Sequence, residues 1–172
     1  MNLLDYLAVV ENFPKPGIFF RDISPLLANA DAFKSSIESL DKLSGEFEYT
    51  HILGVESRGF VFGAALASKA HKGLLLARKP NKLPLASHTE SYGLEYGNDA
   101  LQIQAHNIES GAKILIIDDV LATGGTLLAA SKLVKNVGAS LSGAIALGEI
   151  KALNGKSLLN ASGIPFRSLL SL

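Results

Sequence analysis

Ile114-Leu115-Ile116-Ile117 is a continuous apolar run that offers no polar side chain to water. A strand with one wet face alternates in polarity, so a run of this kind belongs to a strand buried on both faces. His51-Ile52-Leu53-Gly54-Val55 makes the same demand, and each run is followed by a polar turn and then a helical pattern. After the first come Glu56-Ser57-Arg58-Gly59 and a small-residue helix from Phe60 to Ala70. A second strand follows over Gly73–Ala77. After Ile117, a helix is expected from about Thr126 to Asn136, then an apolar strand around 142–147. Strand, helix, strand, repeated, predicts an α/β fold: a parallel sheet flanked by helices.

The remaining segments are read around that sheet. Leu3, Leu4, Leu7 and Val10 recur at helical spacing over 3–11, and Phe13-Pro14-Lys15-Pro16-Gly17 ends that helix. Phe33, Ile37, Leu40 and Leu43 predict a helix over 31–44 with Asp31 as its cap. Leu101-Gln102-Ile103-Gln104 alternates like a half-exposed strand, while 80–99, with Pro80, Pro84, Gly93 and Gly97, reads as a long loop of the lid type. Asn154-Gly155 marks a turn in a tail of ambiguous pattern. With no repeat or linker, residues 1–172 are expected to form a single domain.

Composition narrows the chemistry. Sixteen basic and sixteen acidic residues give a formal net charge of zero, which argues against a surface that grips nucleic acid or an anionic membrane. Any anion must be held by a local site. The absence of cysteine excludes disulfides, thiolate metal sites and a cysteine nucleophile. The four histidines are scattered, so no metal ligand of the protein's own is expected. Met1-Asn2-Leu3-Leu4-Asp5 lacks the pattern of a signal peptide, and a cytoplasmic protein is expected.

In open parallel sheets, ligands bind where strands end and helices begin. Asp118-Asp119-Val120-Leu121-Ala122-Thr123-Gly124-Gly125-Thr126 stands at such a junction. Gly124 and Gly125 permit close backbone approach, and Thr123 and Thr126 add hydroxyls, a combination suited to a phosphate at a helix N-terminus. No lysine follows at the spacing of a nucleotide-hydrolysing loop. Two carboxylates repel phosphate, unless the same ligand presents sugar hydroxyls or carries Mg²⁺. A phosphorylated ribose satisfies every element. Glu56-Ser57-Arg58-Gly59 is a second junction with one fixed cation; a plain surface turn would read the same way.

The segment Ile116–Thr126 resembles the binding motif for 5-phosphoribosyl-1-pyrophosphate (PRPP) of the type I phosphoribosyltransferases, and within them the adenine-specific branch. Phe13–Pro25, Val55–Phe60 and Tyr92–Gly97 follow in the family's order across nearly the whole chain. The resemblance implies the fold of that family, with a small N-terminal hood over about 1–30 and a flexible lid over about 80–99. It implies a Mg-dependent pentosyltransferase of purine salvage, in which adenine and PRPP give AMP and pyrophosphate. Mg²⁺ would be carried by PRPP. A homodimer is implied as well.

Residue by residue, the resemblance assigns Asp118 and Asp119 to the ribose hydroxyls, and Ala122, Thr123, Gly124, Gly125 and Thr126 to the 5′-phosphate. Glu56, Ser57, Arg58 and Gly59 form the pyrophosphate loop, with a cis peptide expected between Glu56 and Ser57. Arg78, Lys79 and Lys82 are further pyrophosphate contacts that reach toward a neighbouring subunit. Phe19, Phe20, Arg21 and Val120 would line the adenine site. Glu95 and Tyr96 would be the lid pair, with Glu95 and Arg58 catalytic. Two alternatives stay open: a 6-oxopurine in place of adenine, and a PRPP-sensing regulator without catalysis.

Overall fold

The structure is a computed structural model that describes residues 1–86, 88–94 and 97–172, with the backbone alone at 93, 94, 97 and 98. The chain divides into two compact units, Met1–Ser39 and Leu40–Leu172.

In the first unit, a 3₁₀ turn over Leu3–Tyr6 leads into strand β1 (Ala8–Glu11), which pairs antiparallel with β2 (Phe19–Asp22). The helix expected over 3–11 is therefore confined to one turn. The β-branched pair Val9-Val10 favours extended backbone, and the following segment closes a hairpin rather than ending a helix. Asn12 (φ 58°) and Gly17 (φ 84°) supply its left-handed positions, and Phe13–Pro14 is cis. The Phe13 and Phe20 rings meet edge to face at 5.1 Å. A short helix α1 (Ser24–Ala28), opened by Pro25, precedes α2 (Ala30–Ser44). The cap of α2 is Asn29, whose side chain accepts the Ala32 N–H at 2.9 Å. Asp31 lies instead in the first turn, where its charge complements the helix dipole.

The second unit is built on a five-stranded, all-parallel sheet. Strand β3 (His51–Val55) leads to α3 (Gly59–Ala70) and β4 (Gly73–Ala77). A hairpin of β5 (His88–Leu94) and β6 (Gly97–Ile103) intervenes. Then come β7 (Lys113–Leu121), α4 (Gly125–Asn136) and β8 (Ser140–Glu149). The tail forms α5 (Gly155–Ala161) and β9 (Phe166–Ser171), and the sheet order is β4-β3-β7-β8-β9. The interval 80–99, read as loop throughout, thus contains one strand and the start of another. Polar residues such as Thr89, Glu90 and Ser91 hide its alternation, and Gln102 crosses to Thr89 at 3.1 Å.

Ile114, Leu115, Ile116 and Ile117 are all fully buried. Neighbours on a strand point to opposite faces. Ile114 and Ile116 join the core that includes Leu127, Ala130, Leu133 and Val134 of α4. Ile117 faces α3, where a Cβ on Gly63 would lie 3.1 Å from its Cγ2 and 3.3 Å from Gly54 Cα. The Gly54–Gly63 contact thereby sets how closely α3 approaches the sheet.

Gly63→Val should force that approach apart. Overpacking of this kind costs about 1–3 kcal/mol, so the urea midpoint should fall with an unchanged denaturant slope. An unchanged midpoint would refute the close-packing account.

Candidate active site

Strand β7 is the central strand, and its buried run ends in Asp118-Asp119. The side chain of Asp119 is 4% exposed, and its Oδ2 lies 2.9 Å from Nε of Arg58, at the turn before α3. Asp118 curls back so that its Oδ1 accepts the Asp119 N–H at 2.9 Å. The two carboxyls are also hydrogen-bonded to each other, while Arg58 pairs with Asp119. Desolvation, and then the charge of Asp119, push the Asp118 carboxyl well above the usual carboxylate range. Asp119 is the partner of the Arg58 guanidinium.

Beyond the acids, β7 runs on through Val120 to Leu121, and the chain then turns through Ala122, Thr123 and Gly124 into α4. Gly124 has φ 91°, a left-handed conformation suited to glycine. The backbone there needs support from behind, and α5 provides it. A Cβ on Gly155 would fall onto the Ala122 carbonyl oxygen and within 3.0 Å of Gly124 N; one on Gly124 would meet Gly155 O at 3.0 Å. Among the described residues, a Cβ on Gly125 would meet the Tyr92 ring at 3.7 Å, an ordinary contact. One side of the loop is thus packed backbone on backbone, at the N-terminus of a twelve-residue helix.

The second junction is equally specific. The Glu56–Ser57 peptide is cis, as the sequence predicts. Glu56 is an organiser of cations: its Oε1 accepts from Lys82 Nζ at 3.0 Å, and its Oε2 accepts the Lys79 N–H at 2.7 Å and faces Arg78 Nε at 3.4 Å. Burial opposes ionisation, but these bonds outweigh it and hold the Glu56 carboxyl below its ordinary value. Arg78 is fixed further by a reciprocal backbone bridge to Gln102 (2.9 and 2.7 Å), by Nη1 donating to Lys82 O at 2.8 Å, and by the Phe60 ring at 6.0 Å. Lys79 pairs with Asp99.

The structure therefore gathers the expected residues of the second unit into two groups. Arg58, Asp118, Asp119 and the 122–126 loop form one; Glu56, Arg78, Lys79 and Lys82 form the other, with Ser57 and Gly59 between them in sequence. Phe19, Phe20 and Arg21 lie on β2 of the first unit, where Phe19 is 60% exposed and the other two are half-buried. Glu95 and Tyr96 lie outside the described residues. Among the described residues, no three His, Asp or Glu side chains cluster as a metal cage. Sequence reasoning assigned no role to Gly155, Tyr92 or Asp99. The turn signal Asn154-Gly155 pointed to the first, Tyr92 only opened a segment that carries the resemblance, and no signal pointed to Asp99.

A phosphoribosyl transferase domain model matches residues 23–152. The adenine phosphoribosyltransferase of Polynucleobacter asymbioticus is 64% identical over 170 residues, covering 99% of each chain. The crystal structure of adenine phosphoribosyltransferase from Thermoanaerobacter pseudethanolicus superposes with a TM-score of 0.94 at 39% identity, covering 99% of this chain and 100% of that one. That of Saccharomyces cerevisiae, complexed with an imino-altritol bisphosphate and adenine, gives 0.88 at 36% identity, covering 96% and 95%.

Two substitutions test the site. Gly155→Ala should displace the 122–126 loop and weaken AMP binding by at least about tenfold, the effect of roughly 1.4 kcal/mol; parental AMP affinity by calorimetry would remove α5 from the site. Asp118→Asn keeps the acceptor for Asp119 N–H. A raised carboxyl pKa means that the folded state binds the proton more tightly. That stabilisation is present below the unfolded pKa and is lost as pH rises through the folded one. The variant should therefore melt no lower than the parent at neutral pH, with a flatter pH dependence. Its kcat/KM should fall by about 10- to 150-fold through weakened bonds to ribose hydroxyls. A lower neutral-pH melting temperature would contradict the desolvated-acid account.

Proposed function

The chain belongs to the phosphoribosyl transferase family, and from that premise we propose that it joins adenine to the ribose of PRPP, giving AMP and pyrophosphate in purine salvage. The observation that carries this reading is the Asp118-Asp119 pair at the end of the buried β7 run, leading through Val120 and Leu121 to the glycine loop that opens α4. Together they offer acceptors for sugar hydroxyls and donors for a phosphate at adjoining positions. The relatives and solved structures that match over nearly the full chain bear the adenine name, which supports adenine over a 6-oxopurine.

In the reaction, the bond from C1′ to the pyrophosphate oxygen breaks and adenine N9 bonds to C1′, losing its proton. Positive charge develops on the ribose. Asp119, paired with Arg58, stabilises that charge and accepts a ribose hydroxyl; Asp118 accepts the other. Fixed charges in a site sheltered from water act without reorganising, which is where such stabilisation is worth most. Backbone N–H groups of Ala122–Thr126, with the Thr123 and Thr126 hydroxyls, hold the 5′-phosphate. Arg78, Lys79 and Lys82, gathered by Glu56, receive the departing pyrophosphate. Phe19, Phe20, Arg21 and Val120 face the purine in this reading, Tyr96 closes over the site, and Glu95 bonds the base.

A Mg²⁺ carried by PRPP would take most of its coordination from the phosphate oxygens and would neutralise their charge, with Asp118 and Asp119 the carboxylates that would meet its water shell. A homodimer is supported by Leu74 and Leu76 on the edge strand β4 and Val61 on α3, each more than one-third exposed. Among the described residues, no helix is long and apolar enough to cross a membrane, consistent with a cytoplasmic enzyme.

Turnover with PRPP and Mg²⁺ across adenine, hypoxanthine, guanine and xanthine tests the substrate. Adenine should be preferred by at least about 10⁴-fold, the discrimination available where a site's hydrogen bonds would go unmet. Preference for a 6-oxopurine would overturn the assignment, and binding without turnover would point to a regulator. Gly125→Val has room on the protein side, so it should keep the parental melting temperature yet lose AMP affinity.

A further inference from the structure

Tyr92 and Asp99 stand directly opposite each other in the β5–β6 hairpin. The Tyr92 hydroxyl donates to Asp99 Oδ2 at 3.0 Å, the Lys79 ammonium donates to the same oxygen, and Asp99 Oδ1 accepts the Ala100 N–H at 3.0 Å. On its other side, the Tyr92 oxygen is hydrogen-bonded to the Thr126 side chain. Because the tyrosine proton is committed to Asp99, Thr126 is the donor there. The Tyr92 ring lies against Gly125 as well. A continuous chain therefore runs from the 122–126 loop through Tyr92 and Asp99 to Lys79. The Lys79 main chain is tied to Glu56 at 2.7 Å.

We propose that Tyr92 and Asp99 are positioning residues that couple occupancy of the 122–126 loop to the placement of the Lys79 ammonium, so that a phosphate in the loop tightens the hold of Asp99 on Lys79 and opposes the binding of pyrophosphate. The inference rests on the reading of that loop as the 5′-phosphate site. A phosphate oxygen is a stronger acceptor than a phenol oxygen, so a bound phosphate draws the Thr126 proton away from Tyr92. Thr126 then presents a lone pair to Tyr92, whose single proton serves either Thr126 or Asp99. When it turns to Thr126, Asp99 loses one of the two donors that share its Oδ2. The carboxylate charge then falls on Lys79 alone, and Asp99 holds the ammonium more tightly against exchange for a pyrophosphate oxygen. The choice between two acceptors for one proton is the discrete alternative that coupling between sites requires. The ionisation of the chain fits this account. Burial acts against it, yet the bonds from Lys79 and Tyr92 hold Asp99 below its usual range, and Asp99 raises Lys79.

Calorimetry with ribose 5-phosphate and magnesium pyrophosphate as separate probes tests the coupling. In the parent, saturating ribose 5-phosphate should weaken pyrophosphate binding by about tenfold, within the usual range of coupling between sites. Tyr92→Phe, and independently Asp99→Asn, should reduce that loss to less than about twofold, while ribose 5-phosphate alone binds within about threefold of the parent. A merely structural Tyr92 would lower the melting temperature and weaken both probes but leave their ratio intact, and that result would overturn the proposal. A parent that binds both probes independently, or with a gain, would overturn it and leave the adenine reaction standing. A parent that binds neither would defeat the phosphate-site reading itself, and the coupling with it.

Discussion

The site depends on the end of one strand. β7 is buried on both faces through Ile117, and its next two residues are carboxylic acids that have nowhere to go but the same dry environment. Removing a carboxylate from water is expensive unless a counter-charge or hydrogen bond meets it. Here Arg58 meets Asp119, and Asp118 stays closer to neutral. The acid pair is thus asymmetric before any ligand arrives. Because Arg58 also lies at the start of α3, the same ion pair ties the two strand-to-helix junctions to each other.

Around that fixed point, each positive group is held by an anion of the protein. Glu56 collects Arg78, Lys82 and the Lys79 main chain, and Asp99 collects the Lys79 side chain. A cluster of cations with no partners would repel itself and wander. One with internal carboxylates is placed in advance, and a pyrophosphate then competes for donors that are already aimed. The cost is that binding must displace existing bonds, which suits a product that has to leave.

The sheet was legible because continuous apolar runs leave few choices; β3 and β4 fall on the residues expected and β8 extends two residues beyond them at each end, whereas β7 carries on past Ile117 through the acids to Leu121, a stretch that reads as the junction. The acids, the glycine loop and the Glu56–Ser57 peptide were legible too, since motif and chemistry agreed. What the sequence hid were features set by pairing rather than by pattern. Val9 and Val10 fit a helical spacing, but their strand partner lies beyond Gly17. His88–Ser91 has no apolar alternation because the face it needs is completed by Leu101 and Ile103. Tyr92 and Asp99 become neighbours only through hairpin register. Gly155 gains its meaning from a loop thirty positions earlier, and no local signal carries that contact.

That last contact orders events in time. The phosphate loop is complete in sequence well before Gly155, and β9, which borders β8, is made later still. Synthesis runs from the N-terminus, so the nascent chain emerges with its glycine loop present and unsupported. With the 5′-phosphate held there as proposed, affinity for it can develop only when α5 has docked behind the loop. The substrate is therefore a ligand of the finished chain alone, and its binding, which stabilises only the state that holds it, favours the enzyme at the final step of folding rather than during its growth.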